Sequence, residues 1–186
     1  LSWMNRASKI LPKSKGWLNV GRIGGYYKIK NYANCDFIIT NTNDLRNFVI
    51  ECGWDSKKVE HIPNFVSKKN QTKKIKKISS KKIILCLARF HRNKGVDVLL
   101  KAMTYLHGYN LWIVGQGDEK KIYDTIIEKY DLKEKVVFYE WTNNISEFIN
   151  SADLLVCPSR HEPFGNVVID GWAHKIPVIV SDTGGL

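Results

Sequence analysis

The chain has 186 residues, 44% of them hydrophobic and 25% charged, with a formal net charge of +11. That balance excludes a globally disordered chain, and the basic excess points to anionic partners: nucleic acid, anionic lipid or a phosphorylated substrate. No apolar run is long enough to span a bilayer and no signal peptide is visible; Cys35, Cys52, Cys86 and Cys157 are too scattered to form a metal site and read as free thiols of a reducing compartment.

Leu1 to Arg22 mixes Trp3, Ile10, Leu11, Trp17 and Val20 with Arg6, Lys9, Lys13, Lys15 and Arg22, and Pro12 and Gly16 break any long helix. Two readings stay open for it. One is a segment lying in a membrane headgroup plane; the other is an irregular segment packed on its own domain, its lysine stems reaching water. The spacing from Tyr26 through Tyr27, Ile29 and Tyr32 predicts a short amphipathic helix. Gly24-Gly25, with these tyrosines and Lys28 and Lys30, serves either packing or contact with phosphate or sugar.

Cys35 to Thr40 is an apolar run and reads as a buried strand. Asn41 to Asp44 supplies a helix N-cap, Leu45 to Cys52 carries the helix, and Gly53 stops it. Val59 to Ile62 is a candidate edge strand, ended by Pro63-Asn64. His61 is given no catalytic role.

Residues 67–80 change character. Lys68, Lys69, Lys73, Lys74, Lys76 and Lys77 crowd together, and Lys81 and Lys82 follow, eight of the 29 basic residues. Like charges this dense repel and extend the chain, so the segment reads as a linker between domains. Beside an anionic membrane such a run gains about 1 kcal/mol per lysine. Nucleic acid is not an expected partner, because no zinc-finger, helix-turn-helix or RNA-binding motif accompanies the charge.

From Ile83 onward short apolar runs alternate with helical patterns. Strands are predicted at Ile83 to Ala88, Leu111 to Val114, Val136 to Tyr139, Leu154 to Cys157 and Val178 to Val180. Helices are predicted at Gly95 to Leu106, from an Asp118 cap to Tyr130, at Ile145 to Ala152 and at Asn166 to His174. This alternation means α/β: a Rossmann-like parallel sheet covered by helices on both faces, preceded by part of a second α/β domain.

In such a sheet, ligands bind at the carboxyl edge of the strands. Three predicted loops bring chemistry there. Arg89 and Lys94 follow the first strand and stand before a helix start, where arginine offers forked hydrogen bonds and lysine a point charge to a diphosphate. Gly115-Gln116-Gly117 follows the second strand, and the tight turn needs positive φ whatever its role. After the Leu154 to Cys157 strand comes Pro158-Ser159-Arg160-His161-Glu162-Pro163-Phe164-Gly165-Asn166 and then a helix bearing Asp170. Gly165 allows close backbone approach, the helix N-terminus can meet an anion, and Glu162 and Asp170 can accept hydrogen bonds from sugar hydroxyls.

This last stretch resembles the E-x7-E signature of retaining glycosyltransferases of the GT-B fold, the large group 1 (family 4) family. It departs from the signature in carrying Asp170 where a second glutamate is expected. Arg89 to Gly95 resembles the family's R-x4-K-G donor-phosphate motif, Gly115-Gln116-Gly117 its G-x-G turn, and Pro177 to Gly185 its next strand and glycine turn. The strand, cap, helix and His61-Ile62-Pro63-Asn64 order resembles the end of the family's N-terminal domain.

The resemblance implies residues 1–66 as the end of an acceptor-side domain, 67–80 as the linker and 81–186 as a nucleotide-sugar-binding domain lacking its last part. The start at Leu1 rather than methionine fits a piece of a longer chain. It further implies a hexosyltransferase that retains anomeric configuration, with Glu162, Arg89 and Lys94 as catalytic residues. Phe164, Gly165, Asn166, Asp170, Gly117, Trp141 and Thr142 would bind the donor: Glu162 near the sugar, Asp170 on the ribose, and Trp141 and Thr142 near the base. Asp170 is one methylene shorter than glutamate, so water bridging or weaker binding is implied, and a solvated helix residue is its alternative reading. No metal or other cofactor is expected. The implied partners are a nucleotide-sugar donor, a glycan or lipid-linked acceptor such as one of lipopolysaccharide biosynthesis, and an anionic membrane surface. The implied place is cytoplasmic, peripheral on the inner face of the membrane. A GT-B nucleotide-sugar epimerase and a non-catalytic remnant that only binds nucleotide are the two other classes that fit.

Overall fold

The structure, a computed structural model, describes residues 1–66, 74–75 and 80–183. The lysine run assigned to a linker falls almost wholly outside the described residues, as does Gly184-Gly185 of the last glycine turn. The chain divides into two compact units, Leu1–Phe65 and a second from Val66 onward.

The first unit is a four-stranded parallel sheet in the order β1 (Ser2–Trp3), β2 (Val20–Ile23), β3 (Phe37–Thr40) and β4 (Val59–His61). Helix α1 (Met4–Lys9) follows β1 and α2 (Asn43–Glu51) follows β3. Leu1 to Arg22 is therefore not irregular: a strand, a short helix and a second strand occupy it, with Pro12 and Gly16 in the connection. The helix predicted from Tyr26 is also absent; the segment ends in a single 3₁₀ turn, Ile29–Tyr32. The reason is tertiary. Tyr32 is fully buried against Gly21, where a Cβ would sit 2.8 Å from the Tyr32 ring and 2.8 Å from Cys35 Sγ. Inserting that ring takes precedence over local helix spacing. Thr42 caps α2, its Oγ1 accepting from Leu45 N at 3.1 Å, as the Asn41 to Asp44 cluster leads one to expect. Ile23, Tyr32, Cys35, Ile38, Val49 and Val59 form this unit's core.

The second unit holds a five-stranded, all-parallel sheet in the order β7 (Val136–Tyr139), β6 (Tyr109–Val114), β5 (Lys82–Leu87), β8 (Leu154–Cys157) and β9 (Val178–Val180). Central β5 is apolar from Ile83 to Leu87 because both its faces are covered. Ile84 and Cys86 face one core with Leu111, Ile113 and the helices α3 (Val96–Ala102) and α4 (Lys120–Lys129). Ile83 and Leu85 face the other with Trp112, Val114, α5 (Ile145–Ser151) and α6 (Asn166–Ala173). Helix α3 stops at Ala102, short of the predicted Leu106. Asp118 does not cap α4: the helix begins after Glu119, whose N–H donates to the Phe90 carbonyl at 3.3 Å.

The chain runs from β5 out to β6 and β7, then crosses back over the sheet through α5 to β8. The direction of winding reverses between β5 and β8. This is the switch point at which open parallel sheets leave a crevice for ligands.

Candidate functional site

Every strand of the second sheet points the same way, so the loops after β5, β6, β7 and β8 share one rim. Arg89 follows β5 by two residues, and Lys94 ends a 3₁₀ turn, Arg92–Lys94. His91 Nδ1 accepts from Asn93 N at 3.2 Å to shape that turn. Gly95 follows at φ +63° and starts α3. A Cβ there would lie 1.9 Å from the Pro158 carbonyl oxygen, so only glycine lets the loops after β5 and β8 meet backbone to backbone.

The same two loops meet again through side chains. Lys94 Nζ donates to Glu162 Oε2 at 2.5 Å, and the same oxygen accepts from Ser159 Oγ at 3.3 Å. The carboxylate is the more enclosed partner, its side chain 14% exposed against 31% for the lysine. A charge-assisted bond in such a part-buried crevice is stronger than one in open solvent. The predicted cation and acid are thus in contact across 68 residues of sequence.

The same rim also holds a cavity of about 210 Å³. Arg89, Trp141 and Thr142 border it, and Leu87, Ala88 and Val114 supply apolar wall at the ends of β5 and β6. Ile145 of α5 and Val167 of α6 close it. Val167 lies in the first turn of α6, whose entry residue Gly165 sits at φ +79° with no side-chain cap. The first N–H groups of that helix therefore have no side-chain oxygen from the capping residue. Phe164 precedes this turn and Asn166 opens it. Asp170 lies three residues beyond Val167 on the same face of α6. The helix is held close to the sheet by Gly171, where a Cβ would meet Val178 Cγ2 at 2.7 Å.

Gly115 and Gly117 have a different geometry from a ligand loop alone. At φ +153° and +152°, their missing Cβ atoms would fall 2.0 Å from the Ala88 oxygen and 2.4 Å from the Phe90 oxygen. The Phe90 N–H also donates to the Gln116 carbonyl at 2.8 Å. The turn after β6 therefore braces the backbone on either side of Arg89.

Sequence reasoning passed over three features of the site. Val167, Ile145 and Leu87 line the cavity but look like ordinary core residues in sequence. Gly95 was visible in the motif, yet its closeness to Pro158 depends on strand order. Arg160 and Asp97 form a two-bond ion pair behind the loops, Nη1 to Oδ1 and Nη2 to Oδ2, each at 2.7 Å. That bond holds the Asp97 carboxyl below its ordinary range. Among the described residues, no group of three histidine, cysteine or acidic side chains could hold a metal ion.

Residues 67–186 match the protein family described as glycosyl transferases group 1. The chain belongs to this glycosyltransferase family. The lipopolysaccharide core biosynthesis glycosyltransferases LpsE and LpsD of Rhizobium meliloti are each 28% identical to it over 190 residues, covering 100% of this chain and 56% and 55% of theirs. The chain thus spans about half the length of the curated relatives it matches. Among solved structures, HepE of Anabaena in complex with UDP and glucose superposes with a TM-score of 0.79 at 18% identity, over 89% of this chain and 53% of that one. The lipopolysaccharide outer core galactosyltransferase WaaB superposes with a TM-score of 0.67 at 17% identity. The glycosyltransferase fold is accordingly α/β of the GT-B type, each unit built on a parallel sheet.

Proposed function

We propose that this chain is the nucleotide-sugar-binding part, with the end of the acceptor-side domain, of a retaining hexosyltransferase. The observation that carries this reading is the rim itself: loops at one edge of the sheet hold a Lys94–Glu162 ion pair 2.5 Å long and a cavity bordered by Arg89 and Trp141. The family match and the named functions of the relatives support it. Crystals of HepE with UDP-glucose support a nucleoside diphosphate sugar as the class of donor. LpsE, LpsD and WaaB favour a lipid-linked or lipopolysaccharide acceptor.

On this reading the flat ring of the base enters the apolar cavity against Trp141, with Thr142 at its edge. Asp170 faces the ribose hydroxyls from α6. Arg89, Lys94 and the N-terminus of α6 take the diphosphate, with the backbone of Phe164, Gly165 and Asn166 close to the sugar or distal phosphate. Glu162 accepts from the sugar hydroxyls. In the transfer, the bond between the anomeric carbon and the distal phosphate oxygen breaks and its electron pair stays on that oxygen. The acceptor hydroxyl oxygen forms the new bond to the anomeric carbon, and its proton passes to the departing phosphate oxygen. Arg89, Lys94 and the helix N-terminus are in place before charge develops on the leaving oxygen, which is how fixed dipoles and cations lower a barrier. Catalysis in this scheme uses these side chains and the backbone N–H groups of the helix start, and it calls on no metal. Transfer is proposed for the whole protein, whereas nucleotide binding is expected of the chain described here.

Titration calorimetry with UDP, GDP and ADP tests the reading. One of them should bind, and Arg89→Ala should weaken it by about tenfold or more, the loss of one charge-assisted phosphate contact. Equal binding by both proteins, or none by the wild type, removes the assignment.

A further inference from the structure

The loop after β5 and the turn after β8 are joined behind the rim as well as across it. Arg160 lies two residues before Glu162 and Asp97 three residues after Lys94. Besides its two 2.7 Å bonds to Asp97, the Arg160 guanidinium donates through Nη1 to the Arg92 carbonyl at 2.8 Å. The Arg160 backbone N–H donates to the Asn93 carbonyl at 2.7 Å. One residue thereby grips the start, middle and far side of the turn that carries Lys94. The ion pair faces a groove between α3 and α4, lined also by Lys101, Glu119 and Ile126, and no residue of this groove borders the cavity with Arg89. Arg160 and Asp97 thus open on a different groove from the cavity that Arg89 borders, and their bonds run to the turn that carries Lys94 and from the turn that carries Glu162.

We propose that Arg160 and Asp97 are positioning residues that set the distance and register between Glu162 and Lys94. This rests on the donor-site reading above. The forked geometry is the point: two parallel N–H···O bonds fix orientation as well as separation, and neither lysine at 160 nor asparagine at 97 can reproduce them. A part-exposed ion pair contributes little to global stability, so a large effect on turnover with a small effect on unfolding is the signature of positioning. Loss of the guanidinium leaves the turn attached elsewhere. Ser181 Oγ donates to the Ser159 carbonyl, and Thr183 Oγ1 donates to the Arg160 carbonyl at 3.3 Å.

The experiment uses the full-length protein and whichever of UDP-glucose, UDP-galactose and GDP-mannose the wild type binds best. Donor hydrolysis, with water replacing the acceptor, reports kcat and KM, and calorimetry reports the affinity for the matching bare nucleoside diphosphate. Arg160→Ala and Asp97→Asn should each lower kcat about tenfold or more while donor KM and nucleoside diphosphate affinity stay within about threefold, and Arg160→Lys should not restore kcat. The double variant should be no worse than either single one, since both remove one device. Asp97→Asn keeps the side-chain volume, so it decides the matter if Arg160→Ala fails to fold. Turnover within about twofold of wild type in Asp97→Asn, or losses that multiply in the double variant, overturn the proposal and leave the donor site standing. A wild type that binds none of UDP, GDP and ADP overturns both.

Discussion

Lys94 and Glu162 neutralise one another at the rim, and this couples two roles that the donor reading gives them separately. On the donor reading, a donor phosphate would compete with the Glu162 carboxylate for the Lys94 ammonium, which is 2.5 Å from that carboxylate. Removing the carboxylate charge would then release the lysine for phosphate while taking away the group that this reading sets against the sugar. Glu162→Gln should therefore bind bare UDP at least as tightly as wild type, and up to about threefold tighter, yet turn over donor about a hundredfold more slowly. Calorimetry and donor hydrolysis on one preparation check both halves. Weaker UDP binding in the variant would mean that Glu162 orders the phosphate site instead of competing with it. The glycines of the rim act in another way, through the side chains they lack. At Gly95 and Gly115 the neighbouring carbonyl oxygens occupy the space of a Cβ, so these positions set how near two strands' loops can come.

At the scale of elements, α3 and the turn after β8 are joined by a link that responds to pH. Arg160 holds the Asp97 carboxyl below its ordinary value, mainly through their hydrogen bond and against the opposing effect of burial. A lowered folded value means that the carboxylate form stabilises the fold. That contribution is fully present above the ordinary carboxylate range and is lost as pH falls through the lowered value. Urea midpoints of wild type and Arg160→Ala should therefore differ by a constant amount from about pH 8 to pH 5 and converge below about pH 4. The offset is small, because the Arg160 side chain is 40% exposed and solvent screens the pair. A gap that widens in acid would exclude the pairing. On the other face of the sheet the packing is aromatic: Trp112, fully enclosed, packs edge-on against Tyr139 and Phe148 at 5.4 and 6.2 Å between ring centres.

For the whole molecule, the formal charge of +11 is concentrated in the lysines from Lys68 to Lys82. A lipid-linked acceptor would bring the protein to an anionic surface, where each of those lysines gains about 1 kcal/mol. Sedimentation with vesicles containing phosphatidylserine should show binding at about 0.05 M salt that fades by about 0.3 M as the screening length shortens. Replacing the eight lysines with glutamine should abolish it. Vesicle binding that survives both changes would move the contact to the apolar surface of the first unit, where Trp3, Trp17 and Leu18 are exposed.

Much of this architecture is legible in the order of residues. Strands β5 to β9 show as short apolar runs and α2 as a capped periodic segment, because burial on two faces or on one stripe leaves a pattern within a few neighbouring residues. An all-parallel sheet then forces the loops after its strands onto one rim, and that is enough to gather Arg89, Lys94, Trp141 and the Glu162 turn there. Local pattern ran out where distant contacts outweighed it. Tyr32 abandons the predicted helix to fill the space above Gly21, and Glu119 rather than Asp118 precedes α4 because its N–H meets Phe90. Which loops are neighbours, and not merely on the same rim, depends on the order β7-β6-β5-β8-β9. That order puts the turns after β5 and β8 side by side and so makes the Lys94–Glu162 and Asp97–Arg160 pairs from residues more than sixty positions apart. The chain's own pattern decided which segments of the second unit are strands and which rim carries the charge. Only packing in three dimensions decided which charges touch, since a hydrogen bond acts over about 3 Å and no local signal in the sequence encodes that distance.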